Sequence, residues 1–250
     1  MKIIYLSIRF PLIILHIVIG LIILIFFPSK VYNLKPMHHK ISYYWMKVLV
    51  KLFGLNIIKY GEIDLSAKSY VSNHVSFFDI IILNSLIPSN FIAKSEIKNW
   101  PIIGHLAAKT GTIFIKRGDA SDNDNVINII KKYISLNKKV FIFPEGRIGD
   151  GKNIKKFHSK MFNAICSTDS NSQPVFIRYP INFPSNIESD DSMCWSDKSQ
   201  TLFNISLRCM CKRSTNVIVY FGNSIKCNKS AYDLAKLTFQ EVGDSINNIK

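Results

Sequence analysis

The chain has 250 residues, of which 48% are apolar, and its formal net charge at pH 7 is +15. This composition excludes a disordered polypeptide and predicts a sizeable core, a membrane surface, or both. The excess of positive charge requires an anionic partner such as lipid headgroups, phosphorylated substrates or nucleic acid.

The N-terminal region combines positive charge with a long apolar run. Every charged side chain up to Tyr60 is basic, and residues 10–27 form an apolar segment with the length of a membrane-spanning helix. No small-residue cleavage pattern follows this segment, which favours a retained anchor over a secretory signal peptide. Because Lys30, Lys35 and Lys40 lie just beyond it, the positive-inside tendency predicts an inner (cytoplasmic) membrane protein whose remaining residues face the cytoplasm.

A basic flank beside an apolar helix suits an anionic membrane surface better than DNA. The sequence contains no helix-turn-helix, zinc-finger or RNA-binding signature. We therefore expect an anionic membrane surface as a partner and no nucleic acid.

Residues 41–54 (ISYYWMKVLVKLFG) have the spacing of an amphipathic helix, with Lys47 and Lys51 on its polar face. The residues that can share its apolar face are Trp45, Val48, Leu49, Leu52 and Phe53. Such a helix can lie among lipid headgroups or pack on the domain core, and the sequence leaves both possibilities open.

Beyond this segment, short β-rich runs alternate with helical stretches, which predicts an α/β fold with a mixed β-sheet flanked by helices and preceded by the hydrophobic anchoring helix. The predicted strands are KSYVS, NFIAK, GTIFIK, KVFIFP, QPVFIRY and NVIVYFG. Helices are predicted after Asp79, Asp119 and Ser230, and residues 193–213 predict a loop followed by a helix. We expect residues 1–40 to form the membrane anchor with its basic flank, and residues 41–250 to form the folded domain.

The five cysteines are irregularly spaced, and Cys209 and Cys211 are only two positions apart. This spacing is not that of a zinc site, so neither a metal site nor a cofactor is predicted. In a cytoplasmic setting we expect the thiols to be reduced.

The stretch VSNHVSFFD (residues 71–79) places His74 five positions before Asp79, between two apolar runs. In a structural interpretation, its polar residues cap a helix and Asp79 favours the positive end of that helix. In a catalytic interpretation, Asp79 orients His74, which removes a proton from a hydroxyl. These two residues alone do not decide between the interpretations.

Other segments with functional residue types also follow predicted strands. They are AKSEIKNWPIIG with GTIFIKR, FPEGRIGDGK, and QPVFIRY. In this order and at these separations, the four blocks resemble the glycerolipid acyltransferase family, in particular the 1-acyl-glycerol-3-phosphate O-acyltransferases. NHVSFFD is similar to the family's Asn-His-x4-Asp block and FPEG to its third block, and the resemblance covers roughly residues 40–225.

The resemblance implies a phospholipid-biosynthetic enzyme with residues 41–250 as its catalytic domain. Such enzymes move a fatty acyl group from an acyl thioester, acyl-CoA or acyl-carrier protein, to the free hydroxyl of a lysophospholipid acceptor, here lysophosphatidate, giving phosphatidate. His74 would then be the general base and Asp79 its orienting partner. The substrate-binding residues that it implies are Arg117 as the phosphate ligand, Glu145, Gly146, Arg147, Gly111 and Phe114. A serine nucleophile at Ser72 or Ser76 is a rival idea, but neither lies in a Gly-x-Ser-x-Gly pattern.

The third block departs from the family's commonest form, Phe-Pro-Glu-Gly-Thr-Arg-Ser, because Arg147 and Ile148 follow Gly146. Arg147 can supply the phosphate contact from one position earlier, or the acceptor carries a different headgroup. The continuation GDGKNIKKFHSKMF is similar to the branch that includes lyso-ornithine lipid acyltransferases.

Two functions of other classes remain open. A noncatalytic membrane-surface binding protein would use the basic N-terminal region and keep an inactive acyltransferase fold. A hydrolase would place water where the acceptor binds and release free fatty acid.

Overall fold

A computed structural model describes residues 2–28, 34–116, 120–195, 199–245 and 247–249. Its α-helices are α1 Lys2–Ile23, α2 Pro36–Phe53, α3 Phe78–Leu86, α4 Ile103–Lys109, α5 Ala120–Ser135, α6 Phe162–Cys166, α7 Leu202–Cys211 and α8 Ala231–Asp244. Its strands are β1 Leu55–Tyr60, β2 Ser69–Ser72, β3 Asn90–Lys94, β4 Ile113–Ile115, β5 Val140–Ile142, β6 Asn171–Arg178, β7 Pro180–Asn182, β8 Asn186–Ser189, β9 Thr215–Phe221 and β10 Ile225–Lys226.

The strands form an eight-stranded sheet in the order β1-β9-β6-β2-β5-β3-β4, with β10 paired to β6, and a separate β7-β8 hairpin. β2, β3, β4, β5 and β6 are parallel, whereas β9 is antiparallel to β6 and parallel to β1. The prediction of a mixed sheet is therefore confirmed, and each of the six predicted strands is present.

Helices cover both faces of the sheet, because the strands expose apolar side chains in both directions. One core cluster joins the sheet to α1, α2, α3 and α7, and a second joins it to α5, α6 and α8. The helices predicted after Asp79, Asp119 and Ser230 are confirmed as α3, α5 and α8, and α7 follows the predicted loop.

The amphipathic segment forms the body of α2 and packs on the core, which confirms one of the two possibilities left open by the sequence. Leu49 and Phe53 are buried, Trp45 and Leu52 pack partly against the same cluster, and Val48 is exposed. Pro36 begins this helix, and Gly54 ends it in a left-handed conformation (φ +69°) that favours glycine.

Helix α1 lies along the rest of the protein and contacts it near both ends. The Arg9 guanidinium donates hydrogen bonds to the carbonyl oxygens of Met210 (3.2 Å), Lys212 (2.5 Å) and Arg213 (2.7 Å) at the end of α7. Lys109 Nζ donates to the Phe27 carbonyl oxygen, 3.3 Å away, beyond the other end of the helix. The predicted division at residue 40 falls inside α2, and the separate anchor stays a proposal.

The expectation that all cysteines are reduced is wrong for one pair, because Cys166 and Cys227 form a disulfide. Cys166 ends α6, and a short turn leads from it to the start of β6. β10 pairs with that start through Lys226 and Asn171, so the topology places Cys227 beside Cys166. The remaining thiols, Cys194, Cys209 and Cys211, are free.

Candidate active site

His74 and Asp79 lie at the carboxyl end of β2, near the centre of the sheet. The chain leaves β2 at Ser72, passes through His74 and enters α3, where Asp79 is the second helical residue. His74 Nδ1 lies 2.8 Å from Asp79 Oδ2. The predicted pairing of these two side chains is therefore present in the geometry.

This contact identifies the nitrogen of His74 that carries the proton. An ionised carboxylate only accepts hydrogen bonds, so Nδ1 is the donor and Nε2 keeps its lone pair. Nε2 has no hydrogen-bond partner among the described residues, and 14% of the His74 side chain is exposed. The imidazole is therefore arranged to accept a proton from a bound molecule.

Asp79 is fully buried, and one of its two carboxylate oxygens accepts several hydrogen bonds. Its Oδ2 also accepts hydrogen bonds from the backbone N–H groups of Val75 (2.7 Å) and Ser76 (3.0 Å), and its Oδ1 accepts one from the Tyr179 hydroxyl (2.7 Å). Hydrogen bonds to a charged group contribute about 1.5–3 kcal/mol each, and they offset the cost of removing the carboxylate from water.

Asn73 fixes the loop to the neighbouring strand. Its side-chain amide donates to the Ile177 carbonyl oxygen (2.9 Å) and accepts from the Ile177 N–H (2.9 Å), and the residue is buried. This pair of bonds continues the β2-β6 pairing beyond the end of β2. These two hydrogen bonds fix the position of the loop that carries His74 relative to the sheet.

The third block holds the backbone of His74 from the other side. Glu145 Oε1 accepts a hydrogen bond from the His74 N–H (3.2 Å), and the Gly149 N–H donates to the His74 carbonyl oxygen (2.6 Å). The Phe143 ring stacks on the imidazole with a centroid distance of 4.1 Å. The first and third blocks therefore form one structural unit.

Glu145 is a buried carboxyl group, and burial raises its pKa to about 7. The hydrogen bond from His74 and the charge of Lys155 oppose this rise, and the charge of Asp79 adds to it. Its Oε2 is buried and has no hydrogen-bond partner among the residues that the structure describes.

The glycines after the third block are required by close packing. A Cβ on Gly149 would lie 3.3 Å from the His74 carbonyl oxygen, and Gly151 has φ +74° with the Ser189 hydroxyl only 2.2 Å from where its Cβ would be. Asp150 Oδ1 accepts the N–H groups of Lys152 (2.9 Å) and Asn153 (3.1 Å) and closes the turn. The sequence GDG therefore brings this loop against His74.

The two serines near His74 do not form a nucleophile–base pair with it. Both are fully buried; the Ser72 hydroxyl donates to the Asn73 carbonyl oxygen (2.9 Å), and the Ser76 hydroxyl has no partner within the part of the chain that the structure describes. His74 Nδ1 instead contacts Asp79. The geometry thus offers no support for a serine nucleophile.

The other predicted substrate-binding residues occupy different positions. Gly146 (φ +68°) turns the chain after Glu145, and Arg147 beside it is exposed. Phe114 is half-buried on the edge strand β4, and two strands, β5 and β3, lie between β4 and β2. Arg117 lies outside the described residues.

Gly111 lies at the amino end of β4, whereas His74 follows the carboxyl end of β2. The strand register places Ile113 opposite Ile92, Asn90 opposite Val140, and Val140 opposite Ser69. Gly111 is therefore level with the start of β2, five residues before His74. The structure does not bring it to the His74–Asp79 pair, and its role stays a prediction.

Sequence reasoning did not find three contributors to the site: Tyr179, Asn73 as a bridge to β6, and Phe143 as the stacking partner. All three stand inside the quoted blocks or at their ends. Their functions depend on strand pairing, which the spacing of residues does not reveal.

Among the described residues, no group of three or more His, Cys, Asp or Glu side chains could hold a metal ion.

Comparisons with known proteins agree with this geometry. Residues 69–178 match the sequence model of the family described as Acyltransferase. A lyso-ornithine lipid O-acyltransferase of Pseudomonas aeruginosa is 30% identical over 59% of this chain and 57% of its own length. A 1-acyl-sn-glycerol-3-phosphate acyltransferase of Helicobacter pylori is 37% identical over 55% of this chain and 58% of its own length.

The chain thus spans about half the length of the curated relatives that it matches. Among solved structures, the 1-acyl-sn-glycerophosphate acyltransferase PlsC of Thermotoga maritima has a TM-score of 0.70 and 14% identity, over 99% of this chain and 95% of the other. At this identity the likeness shows the fold.

The raised pKa of Glu145 predicts a pH-dependent loss of stability. The folded state holds a proton on this carboxyl between its ordinary pKa of 4.5 and about 7, so stability falls as pH rises through this window. Glu145→Gln removes that titration, and we expect its melting temperature relative to the wild type to rise between pH 5 and 8. The maximal effect is roughly 3 kcal/mol.

Thermal unfolding in detergent micelles at several pH values measures this difference. Glu188→Gln, on the surface-facing part of β8, is the matched control and should show no such trend. A constant difference between Glu145→Gln and the wild type would contradict the assignment.

Proposed function

Because residues 69–178 match the sequence model of the acyltransferase family, we propose that the protein transfers a fatty acyl group from an acyl thioester to the free hydroxyl of a lysolipid. The thioester is acyl-CoA or acyl-carrier protein, and the acceptor is lysophosphatidate, which gives phosphatidate. The observation that carries this proposal is the 2.8 Å contact between His74 Nδ1 and Asp79 Oδ2, which leaves Nε2 available.

The chemistry follows from the poor nucleophilicity of an alcohol near neutral pH. His74 Nε2 removes the hydroxyl proton as the oxygen attacks the thioester carbonyl, and buried Asp79 stabilises the imidazolium that forms. A carbon–oxygen bond forms, the carbon–sulfur bond breaks, and the departing thiolate takes the proton from His74. No covalent enzyme intermediate is needed.

A phosphate-bearing acceptor requires cations beside this pair. Arg147 is exposed on the loop that also carries Glu145, whose carboxyl contacts the His74 backbone. A guanidinium can bind phosphate oxygens in a bidentate way. We propose Arg147 and Arg117 as phosphate ligands, with Gly146 allowing close approach of the acceptor and Phe114 as a further contact.

A lyso-ornithine lipid is a second candidate acceptor. Matched relatives from Pseudomonas aeruginosa and Rhizobium meliloti are both named lyso-ornithine lipid O-acyltransferase. The same base would deprotonate a hydroxyl on that lipid, so the reaction is shared and only the headgroup contacts differ.

A membrane location fits both acceptors. The helical stretch Ile3–Phe26 is long and apolar enough to cross a membrane, and only 17% of its most apolar window is buried. Arg9 and Phe27, about 27 Å apart along a helix, both contact the same domain. This arrangement favours insertion along the membrane surface, beside the site, over a perpendicular crossing.

Acyl transfer by membranes that carry the protein tests the reaction. With a labelled acyl thioester, we expect transfer to lysophosphatidate that falls roughly 10²–10⁴-fold in His74→Ala, because the base is lost. His105→Ala, an exposed histidine on α4, is the control and should retain activity.

Each other outcome of this assay has a distinct meaning. Transfer to lyso-ornithine lipid alone would keep the chemistry and replace the acceptor. Release of free fatty acid without an acceptor would indicate a hydrolase. No transfer, or transfer unaffected by His74→Ala, would refute the proposed mechanism and favour a noncatalytic lipid-binding role.

The outer face of α1 should govern binding to lipid. Leu15 and Ile19 are 55% and 44% exposed, and each buried aliphatic side chain contributes about 1.5–3 kcal/mol. We expect the double change Leu15→Gln/Ile19→Gln to lower partitioning into phosphatidylglycerol-containing vesicles roughly tenfold or more. Tyr232→Gln/Leu237→Gln, on exposed positions of α8, is the matched control; an equal loss in both would contradict the assignment.

We propose that the domain faces the cytoplasm, on the basis of the lysines that follow the apolar segment. The Cys166–Cys227 disulfide argues against a reducing compartment. The side of the membrane on which the domain lies is therefore measured separately. A membrane-impermeant maleimide should label Lys236→Cys, in a Cys211→Ser background, in inverted membrane vesicles and not in right-side-out ones. The reverse pattern would place the domain outside.

A further inference from the structure

Tyr179 follows the last residue of β6 and is fully buried. Its hydroxyl donates a hydrogen bond to Asp79 Oδ1 over 2.7 Å. We propose that Tyr179 is a positioning residue that holds the Asp79 carboxylate in the orientation His74 needs, an inference that rests on the proposed function.

The two carboxylate oxygens of Asp79 accept different numbers of hydrogen bonds. Oδ2 accepts from His74, Val75 and Ser76, whereas Oδ1 accepts only from Tyr179 among the described residues. Donors on both oxygens fix the rotation of the carboxyl group about its Cβ–Cγ bond. Without the hydroxyl, one buried oxygen would have no donor and the carboxylate could turn away from His74.

The hydroxyl remains a donor across the working pH range. Burial, followed by the charge of Asp79 beside it, raises the pKa of Tyr179 well above its ordinary value. The phenol therefore stays protonated, and its single hydrogen points to the carboxylate. The Tyr179 hydroxyl therefore donates a hydrogen bond to Asp79 without exchanging protons with it.

Strand pairing places the hydroxyl where it is. β6 lies beside β2, and Asn73 bonds to the backbone of Ile177, two residues before Tyr179. The Asp190 N–H donates to the Tyr179 carbonyl oxygen (2.7 Å) and holds its backbone. Hydrogen bonds therefore hold Tyr179 at both its side-chain hydroxyl and its backbone carbonyl.

Other titratable groups lie near Asp79 and Tyr179. Glu145 from the third-block loop and Cys194 from the segment after β8 interact with Asp79. Lys155 interacts with Glu145, and Cys209 of α7 interacts with Tyr179. None of these is altered by Tyr179→Phe, which removes only the hydroxyl and keeps the ring in the core. A change in pH dependence can therefore be assigned to the lost hydrogen bond.

The test is Tyr179→Phe in the full-length protein, with Tyr70→Phe as the matched control. Tyr70 is also fully buried, and its hydroxyl donates to the Asp64 carbonyl oxygen (2.8 Å), away from His74. Each variant loses one buried hydroxyl, and Tyr70→Phe also removes the acceptor of Lys139 Nζ (3.2 Å). Thermal unfolding of each variant measures the effect on folding separately.

For Tyr179→Phe we expect kcat to fall about 3- to 30-fold, in line with one lost hydrogen bond to a charged group, with little change in the KM of either substrate. A carboxylate that turns away from His74 stabilises the imidazolium less, so the acid limb of the pH–kcat profile moves to lower pH. Tyr70→Phe should leave the profile in place.

NMR of isotope-labelled histidines tests the same idea without turnover. The His74 signal, identified by its loss in His74→Gln, should titrate at a lower pH in Tyr179→Phe than in the wild type or Tyr70→Phe. An unchanged titration, or a pH–kcat profile that does not move, would overturn the inference and leave Tyr179 as a core residue. If the wild-type protein transfers no acyl group, the proposed function fails, but the NMR titration still decides whether Tyr179 acts on this pair.

Discussion

Removing a carboxylate from water costs several kcal/mol unless hydrogen-bond donors replace the lost hydration, and Asp79 is fully buried. Its donors come from the loop after β2 and from Tyr179 beyond β6. These segments meet because β2 and β6 are neighbours and α3 begins at Phe78, four residues after His74. The charge of Asp79 therefore couples the sheet topology to the orientation of one imidazole ring.

The same constraint explains why the third block belongs to the site. A ring held through Nδ1 alone could still shift with its backbone, but the His74 N–H and carbonyl are both bonded to the loop after β5. That loop is in turn closed by Asp150 and joined to Asp191 through Lys152 (3.0 Å). Contacts therefore hold His74 at Nδ1, at its N–H and at its carbonyl oxygen, and Nε2 has no hydrogen-bond partner among the described residues.

The six predicted strands are apolar runs, and most of their residues are buried. β1 was not predicted, because the exposed Asn56 and Lys59 interrupt its apolar run. The β7-β8 hairpin and β10 are short and polar, so no pattern marks them. The His74–Asp79 pair is predictable through the resemblance of its block to Asn-His-x4-Asp, because the two residues alone leave the structural and catalytic interpretations open. Tyr179 is 100 residues from Asp79, and Cys227 is 61 residues from Cys166; only the folded sheet brings them together, and the reduced state expected for that cysteine pair was wrong.

The departure in the third block can be interpreted through packing. Gly149 has the His74 carbonyl oxygen and the Glu145 carboxyl within 3.3 Å of any added Cβ, and Gly151 lies against Ser189. A side chain at Gly151 would clash with the Ser189 hydroxyl, and one at Gly149 would crowd the His74 carbonyl oxygen. The two glycines of the altered block therefore keep the loop close enough for the Gly149 N–H to bond to that oxygen. Arg147 stays exposed on the same loop, where the proposed contact with an acceptor headgroup can form.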